Sequence, residues 1–199
     1  MTSTGFLTPP PHTADAQRFY DEDVTEHGYV MNASRLWAYQ PGTRAKLFEL
    51  MSTALSDHKL SYRERGILVS ACASSLGDSY CSLAWGSKLA GKAGTPVAAS
   101  VLTGDDAVLT PTERAMAAWA RKVARDPNAT TAEDVQELRE AGLDDARIFA
   151  ITTFVALRIA FSTVNDALGS RPDAEYRTNA PSEVLAAVTW GRPIDDPSD

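Results

Sequence analysis

Two side chains three residues apart, Asp78 and Cys81, give this chain its clearest chemistry, because a thiol one helical turn from a carboxylate can be a nucleophile or half of a proton-transferring pair. They sit in the run LSYRERGILVSACASSLGDSYCSLAWGSKLAG, from Leu60 to Gly91. Gly77 is suited to end the helix that starts near Ser61, and Asp78 is suited to cap the next one, with Cys81 in its first turn. The positive end of the helix dipole favours thiolate at that place, whereas the Asp78 carboxylate at i−3 favours the thiol. Cys81 is thus read as a nucleophile or a packed residue, and Asp78 as an acid/base group or a plain N-cap.

Three further groups bear on the same site. Glu64 completes the Ser61-x-x-Glu64 capping box and is also a candidate relay acid for Cys81. Trp85, one turn beyond Cys81, can wall a pocket or stack on a flat ligand, with core packing as the alternative. Tyr29, Trp37 and Tyr39 cluster in GYVMNASRLWAYQP, where they suit a pocket mouth or a subunit contact. Tyr80 and His27 complete the substrate-binding candidates, although each also fits a solvated position.

The spacing around these residues resembles the alkylhydroperoxidase-D (AhpD) and carboxymuconolactone decarboxylase superfamily, in its peroxidase-related branch. That family reads E-R-E, an apolar helix, then G-C-x-x-C-x-x-x-H. Here Glu64-Arg65, Gly77, Cys81, Ser82-Leu83-Ala84 and Gly86 match, whereas Asp78 replaces the first cysteine, Trp85 replaces the histidine, and Gly66 falls at the relay glutamate. The likeness extends from about Gly28 to Gly169 and includes the closing segment FSTVNDALG. It implies an all-α AhpD-like domain assembled as a homo-oligomer, whether dimer, trimer or hexamer. It also implies a small-molecule substrate or peroxide and no cofactor. The replaced positions leave three activities open: a remnant one-cysteine peroxidase, an acid/base isomerase, dehydratase or decarboxylase, and a pseudoenzyme that binds without turnover.

Composition excludes other classes. A net charge of −7, without a clustered Lys/Arg run, argues against a nucleic-acid partner. No window is read as holding the ~20 apolar residues needed to span a bilayer, and MTSTGFLTPPPH lacks a basic lead and an apolar signal core, so a cytosolic protein is expected. Two cysteines are too few for a disulfide scaffold, and Cys72 reads as a small buried apolar residue. His12, His27 and His58 have no metal-site spacing, so no metal is expected.

Positioning these residues falls to helices, because apolar residues recur at i, i+3, i+4 and i+7 almost throughout. Residues 1–25 read as a flexible arm containing a helix from Ala14, 26–170 as the domain, and 171–199 as an extension with a short helix. Helices are predicted over Ala14 to His27, Ser34 to Leu55, Ser79 to Lys92, Ala98 to Leu102, Thr131 to Ala141, Asp144 to Leu168 and Pro181 to Thr189. Capping boxes at Ser61 and Thr110 mark two more starts. Leu60 to Ala71 aligns with Leu109 to Ala120, which points either to two related helical units or to a shared capping grammar. The longest helix, apolar on most faces, is expected in the core or a subunit interface.

Overall fold

The computed structural model of the chain describes residues 5–58 and 60–196, and among these there is no strand. Eleven α-helices follow one another: α1 Ala14–His27, α2 Asn32–Trp37, α3 Pro41–Leu55, α4 Tyr62–Leu76, α5 Ser79–Ala93, α6 Thr95–Thr103, α7 Pro111–Arg125, α8 Ala132–Glu140, α9 Asp145–Ala167, α10 Tyr176–Asn179 and α11 Ser182–Ala187. A 3₁₀ turn, Pro127–Ala129, joins α7 to α8.

Helix α4 is the axis. It packs against α5, α6, α7 and α9, and its residues from Gly66 to Ala73 are all buried. A helix enclosed on every side needs apolar or small residues on every face, which Ile67, Leu68, Val69, Ala71, Cys72 and Ala73 provide. Truncating a side chain as enclosed as Leu68 to alanine costs about 2–5 kcal/mol.

Helix α9 is 23 residues long and apolar enough by composition to cross a bilayer, which corrects the expectation that no window reaches that length. Threonines and alanines among the larger apolar groups keep its polarity low without forming one unbroken run. In the fold it packs on α3, α4, α7 and α8, with Ile148, Ile151, Phe154 and Val155 buried and Phe149 left exposed.

Both predicted capping boxes form. Ser61 Oγ accepts from Glu64 N–H (3.1 Å) while Glu64 Oε2 accepts from Ser61 N–H (2.8 Å), and Thr110 with Glu113 repeats the pattern. Arg63 ties the two helix starts together through a bidentate pair with Glu113 (2.5 and 3.1 Å), which lowers the Glu113 carboxyl pKa.

The helix predicted over Ser34 to Leu55 is two helices. Pro41 lacks an N–H and holds Gln40 out of the helical region (φ −144°, ψ 66°), so α2 stops at Trp37 and α3 begins at the proline. Helix α6 is longer than predicted because Pro96 fits its first turn. Helix α11 is shorter than predicted, and α10 has no counterpart in the sequence reading.

The ends of the chain are packed. Residues 1–4 of the expected arm lie outside the described residues, but from Ala14 the segment is a docked helix with Ala16, Phe19 and Asp23 buried. Phe6 N–H donates to Leu168 O (2.8 Å), and Arg192 lies 4.7 Å over the Phe6 ring. Residues 197–199 lie outside the described residues, and Asp195 is held, its N–H donating to Pro172 O (2.8 Å) and its carboxylate accepting from the Asn32 amide (3.2 Å).

Candidate active site

The turn between α4 and α5 has the geometry expected of it. Gly77 adopts the left-handed conformation (φ +73°), and Asp78 N–H returns to Ala73 O (3.0 Å), which closes α4. Asp78, fully buried, caps α5 by accepting from Cys81 N–H at Oδ1 (2.8 Å).

Cys81 is 2% exposed and receives two hydrogen bonds from α9. Arg158 Nη2 donates to its Sγ (3.4 Å), and so does Ser162 Oγ (3.7 Å). Burial pushes the thiol well above its ordinary pKa and the Asp78 charge pushes the same way, while Arg158 and Ser162 pull it down. The resting state is therefore a thiol whose thiolate, once formed, meets a guanidinium.

Arg158 is itself 3% exposed and has no carboxylate partner among the described residues. Two rings hold it: its guanidinium carbon lies 5.5 Å from the centre of Trp85 and 5.1 Å from that of Phe161. Trp37 stacks on Phe161 (5.4 Å, 6° between planes) and donates its indole N–H to Asn165 Oδ1 (2.8 Å). Tyr80 donates to Asp173 Oδ2 (2.8 Å), whose other oxygen accepts from Asn32 N–H (2.6 Å). Burial pushes the Asp173 carboxyl up to about 6.

Cys81, Arg158, Phe161 and the aromatic groups Trp37, Tyr80 and Trp85 line a cavity of about 620 Å³, within the usual range for a small-molecule site. Cys81, Trp85, Trp37, Tyr80, Tyr29 and His27 all reach its wall, so six of the nine candidates named from sequence converge there. The acids Glu22, Asp23 and Glu26 of α1 line another part, near Arg44, which lies 4.4 Å over both Phe19 and Phe48. A second cavity of about 410 Å³ shares Phe48, Trp85 and Arg158 with the first.

Three candidates do not line the cavity. Asp78 caps the start of α5 behind the wall, where its charge and a side-chain hydrogen bond act on the Cys81 thiol. Tyr39 is exposed and donates to Thr8 O (2.6 Å). Glu64 stands at the far end of α4, roughly 18 Å along the helix from Leu76 at a rise of 1.5 Å per residue, and its carboxylate pairs with Arg147. It is no relay for Cys81. At Gly66, Leu89 occupies the space a side chain would take, with its Cδ1 3.0 Å from where a Cβ would lie.

The residues that sequence reasoning missed are Arg158, Ser162 and Asp173. For the first two a signal existed: Arg158, Ser162 and Asn165 lie at i, i+4 and i+7 on an otherwise apolar stretch of α9, which places three polar groups on one face. Among the described residues, no group of three or more His, Cys, Asp or Glu side chains is placed to hold a metal.

No protein-family model matches the chain, and no curated protein matches it. Solved structures do match. An alkylhydroperoxidase AhpD core from Ralstonia eutropha JMP134, an uncharacterized peroxidase-related protein, is 24% identical with a TM-score of 0.76, covering 88% of this chain and 96% of that one. An uncharacterized peroxidase-related protein from Silicibacter sp. TM1040 is 21% identical with a TM-score of 0.78, over 89% and 96%. A cysteine-to-alanine variant of the debrominase Bmp8, in complex with 2,3,4-tribromopyrrole, is 16% identical with a TM-score of 0.72, over 92% and 99%. The chain has the AhpD-like helical fold.

Proposed function

We propose that this protein is a cysteine-dependent oxidoreductase in which Cys81 attacks a small organic hydroperoxide held in the 620 Å³ cavity. The observation that carries the reading is the contact between Arg158 and Cys81 Sγ at that cavity's wall. A buried guanidinium beside a thiol has no carboxylate to neutralise, and it is matched by the thiolate that forms during reaction. The aromatic walls suit a flat, apolar substrate body, and the debrominase of the same fold in complex with a brominated pyrrole adds to this.

In the reaction the Cys81 thiol gives up its proton, the thiolate attacks the terminal peroxide oxygen and the O–O bond breaks. The alkoxide leaves and takes up a proton as alcohol, and the sulfur becomes a sulfenic acid. An external thiol then condenses with it to a mixed disulfide with loss of water. A second external thiol releases Cys81 and carries away the disulfide. Asp78, a cap outside the cavity wall, acts on this step through its charge, which favours the protonated Cys81 thiol at rest.

A binding role without turnover is the second reading, favoured by the burial and the Asp78 charge that keep Cys81 protonated. The deciding experiment measures thiol-dependent consumption of cumene hydroperoxide, with intact mass after dimedone trapping, in wild type and Cys81→Ser. Consumption and a single dimedone adduct, both lost in Cys81→Ser, support the oxidoreductase. An unlabelled Cys81 and no consumption overturn it in favour of binding.

A further inference from the structure

The smaller cavity, of about 410 Å³, carries only one sign of charge. Arg65 of α4 and Arg158 of α9 line it, no carboxylate does, and the rest of its wall is mostly apolar, with Leu55, Leu60 and Phe154 among the lining groups. Acids outnumber bases by 26 to 19 in this chain, so guanidiniums left without a counter-charge are a local exception.

Neither arginine is satisfied by the protein. Arg65 makes no ion pair among the described residues, its Nε is buried without an acceptor, and its side chain is held only by Tyr62, 5.5 Å from guanidinium carbon to ring centre. The neighbouring Glu64 is engaged by Arg147. Arg158 gives one N–H to Cys81, and its Nε is likewise buried without an acceptor. Tyr62 stacks on Trp85 (5.9 Å), so the two guanidiniums flank one aromatic pair, Arg65 against Tyr62 and Arg158 against Trp85.

Two planar guanidiniums with free N–H groups and aromatic surface between them match a carboxylate carried on a flat apolar body. The geometry points to the smaller cavity as a subsite for the carboxylate of an organic acid, gripped by Arg65 and Arg158. This deepens the proposed function, on which it rests for its substrate, by making that substrate an anion. Because Phe48, Trp85 and Arg158 belong to both cavities, a substrate anchored by its carboxylate in one can present its reactive group to Cys81 in the other.

The test is calorimetric titration of the full chain with benzoate, with its neutral isostere benzamide, and with sulfate, using wild type, Arg65→Gln, Arg65→Lys and Cys81→Ser. Benzoate should bind at least about tenfold more tightly than benzamide, in line with the loss of a charge-assisted hydrogen bond. Arg65→Gln should erase that preference, and Arg65→Lys should restore part of it. Circular dichroism checks that each variant is folded. Equal binding of benzoate and benzamide, an Arg65→Gln variant that binds like wild type, or sulfate binding as tightly as benzoate each overturns the proposal. Cys81→Ser separates the two claims: if it and wild type bind benzoate alike while no peroxide is consumed, the subsite stands and the oxidoreductase reading falls. Peroxide consumption with no Arg65-dependent binding gives the reverse.

Discussion

Cys72 and Cys81 face each other in the sequence across the Gly77 turn, and on burial alone they are indistinguishable, at 1% and 2% exposure. Burial pushes both thiols up, Cys72 to about 12 and Cys81 well above the ordinary range. Arg158 and Asp78 act on both, so what separates them is direct contact. Cys72 lies inside the enclosed run of α4, while Cys81 stands at a helix start, accepts from Arg158 and Ser162, and reaches a cavity. Burial says where a thiol is at rest; the groups that would meet its anion say what it can do.

The strongest way to break this contrast is to remove the cation. Replacing Arg158 by methionine should slow alkylation of Cys81 by iodoacetamide about a hundredfold, close to the ~3 kcal/mol of a strong charge-assisted hydrogen bond. The fold should survive, since an apolar residue of similar volume in place of an unpaired buried charge is often neutral or stabilising. A rate within threefold of wild type would remove Arg158 from the site.

A smaller effect of opposite sign is expected from Asp78→Asn. Asparagine caps as well as aspartate, so α5 should persist, but the negative charge that holds Cys81 protonated is gone. Alkylation at pH 8 should rise about tenfold, equivalent to one pKa unit. In wild type the rate should climb from pH 7 to 10 without a plateau below pH 9, because the thiol is raised. A plateau near pH 7 would contradict that direction.

Cys72→Ala should leave Cys81 alkylation unchanged and cost about 1 kcal/mol, read as a drop of a few degrees in melting temperature. Loss of Cys81 reactivity in this variant would erase the distinction between the two thiols.

The least effect is electrostatic. Burial and the nearby Asp78 push the Asp166 carboxyl up to about 7. A carboxyl raised in the fold favours folding while it is protonated, and that contribution is lost as pH rises from about 4 through 7. Asp166→Asn should therefore stabilise the protein at pH 8, by up to about 1 kcal/mol once solvent screening of this half-buried group is counted, and leave it unchanged at pH 4. Thermal melts at the two pH values check the sign.

What could be read from sequence was local. Gly77, Asp78 and Cys81 form a cap whose grammar spans a few residues, and both capping boxes are likewise written within four positions. The break before Pro41 is equally local, written by the proline itself. Contacts between distant segments were out of reach. Nothing near Gly66 announces that Leu89 fills the space beside it, and nothing near Cys81 announces Arg158, 77 residues away. Glu64 shows the limit from the other side: its capping role was legible, but its partner Arg147 belongs to another helix.

The site is also assembled from opposite ends of the chain. One carboxylate, Asp173, accepts from Asn32 N–H and from Tyr80, across 141 and 93 positions, and Asn32 reaches on to Arg171 and Asp195. During synthesis the helices from α1 to α9 can leave the ribosome and collapse around α4 while these partners are still missing. The cavity wall at Tyr80 is thus completed only after the segment from Arg171 to Asp195 has emerged, and such long closures form late because their entropy must be overcome first. A chain cut after Gly169 should hold most of the core and an unfinished site, so the site is completed by the segment from Arg171 to Asp195 rather than by the cysteine itself.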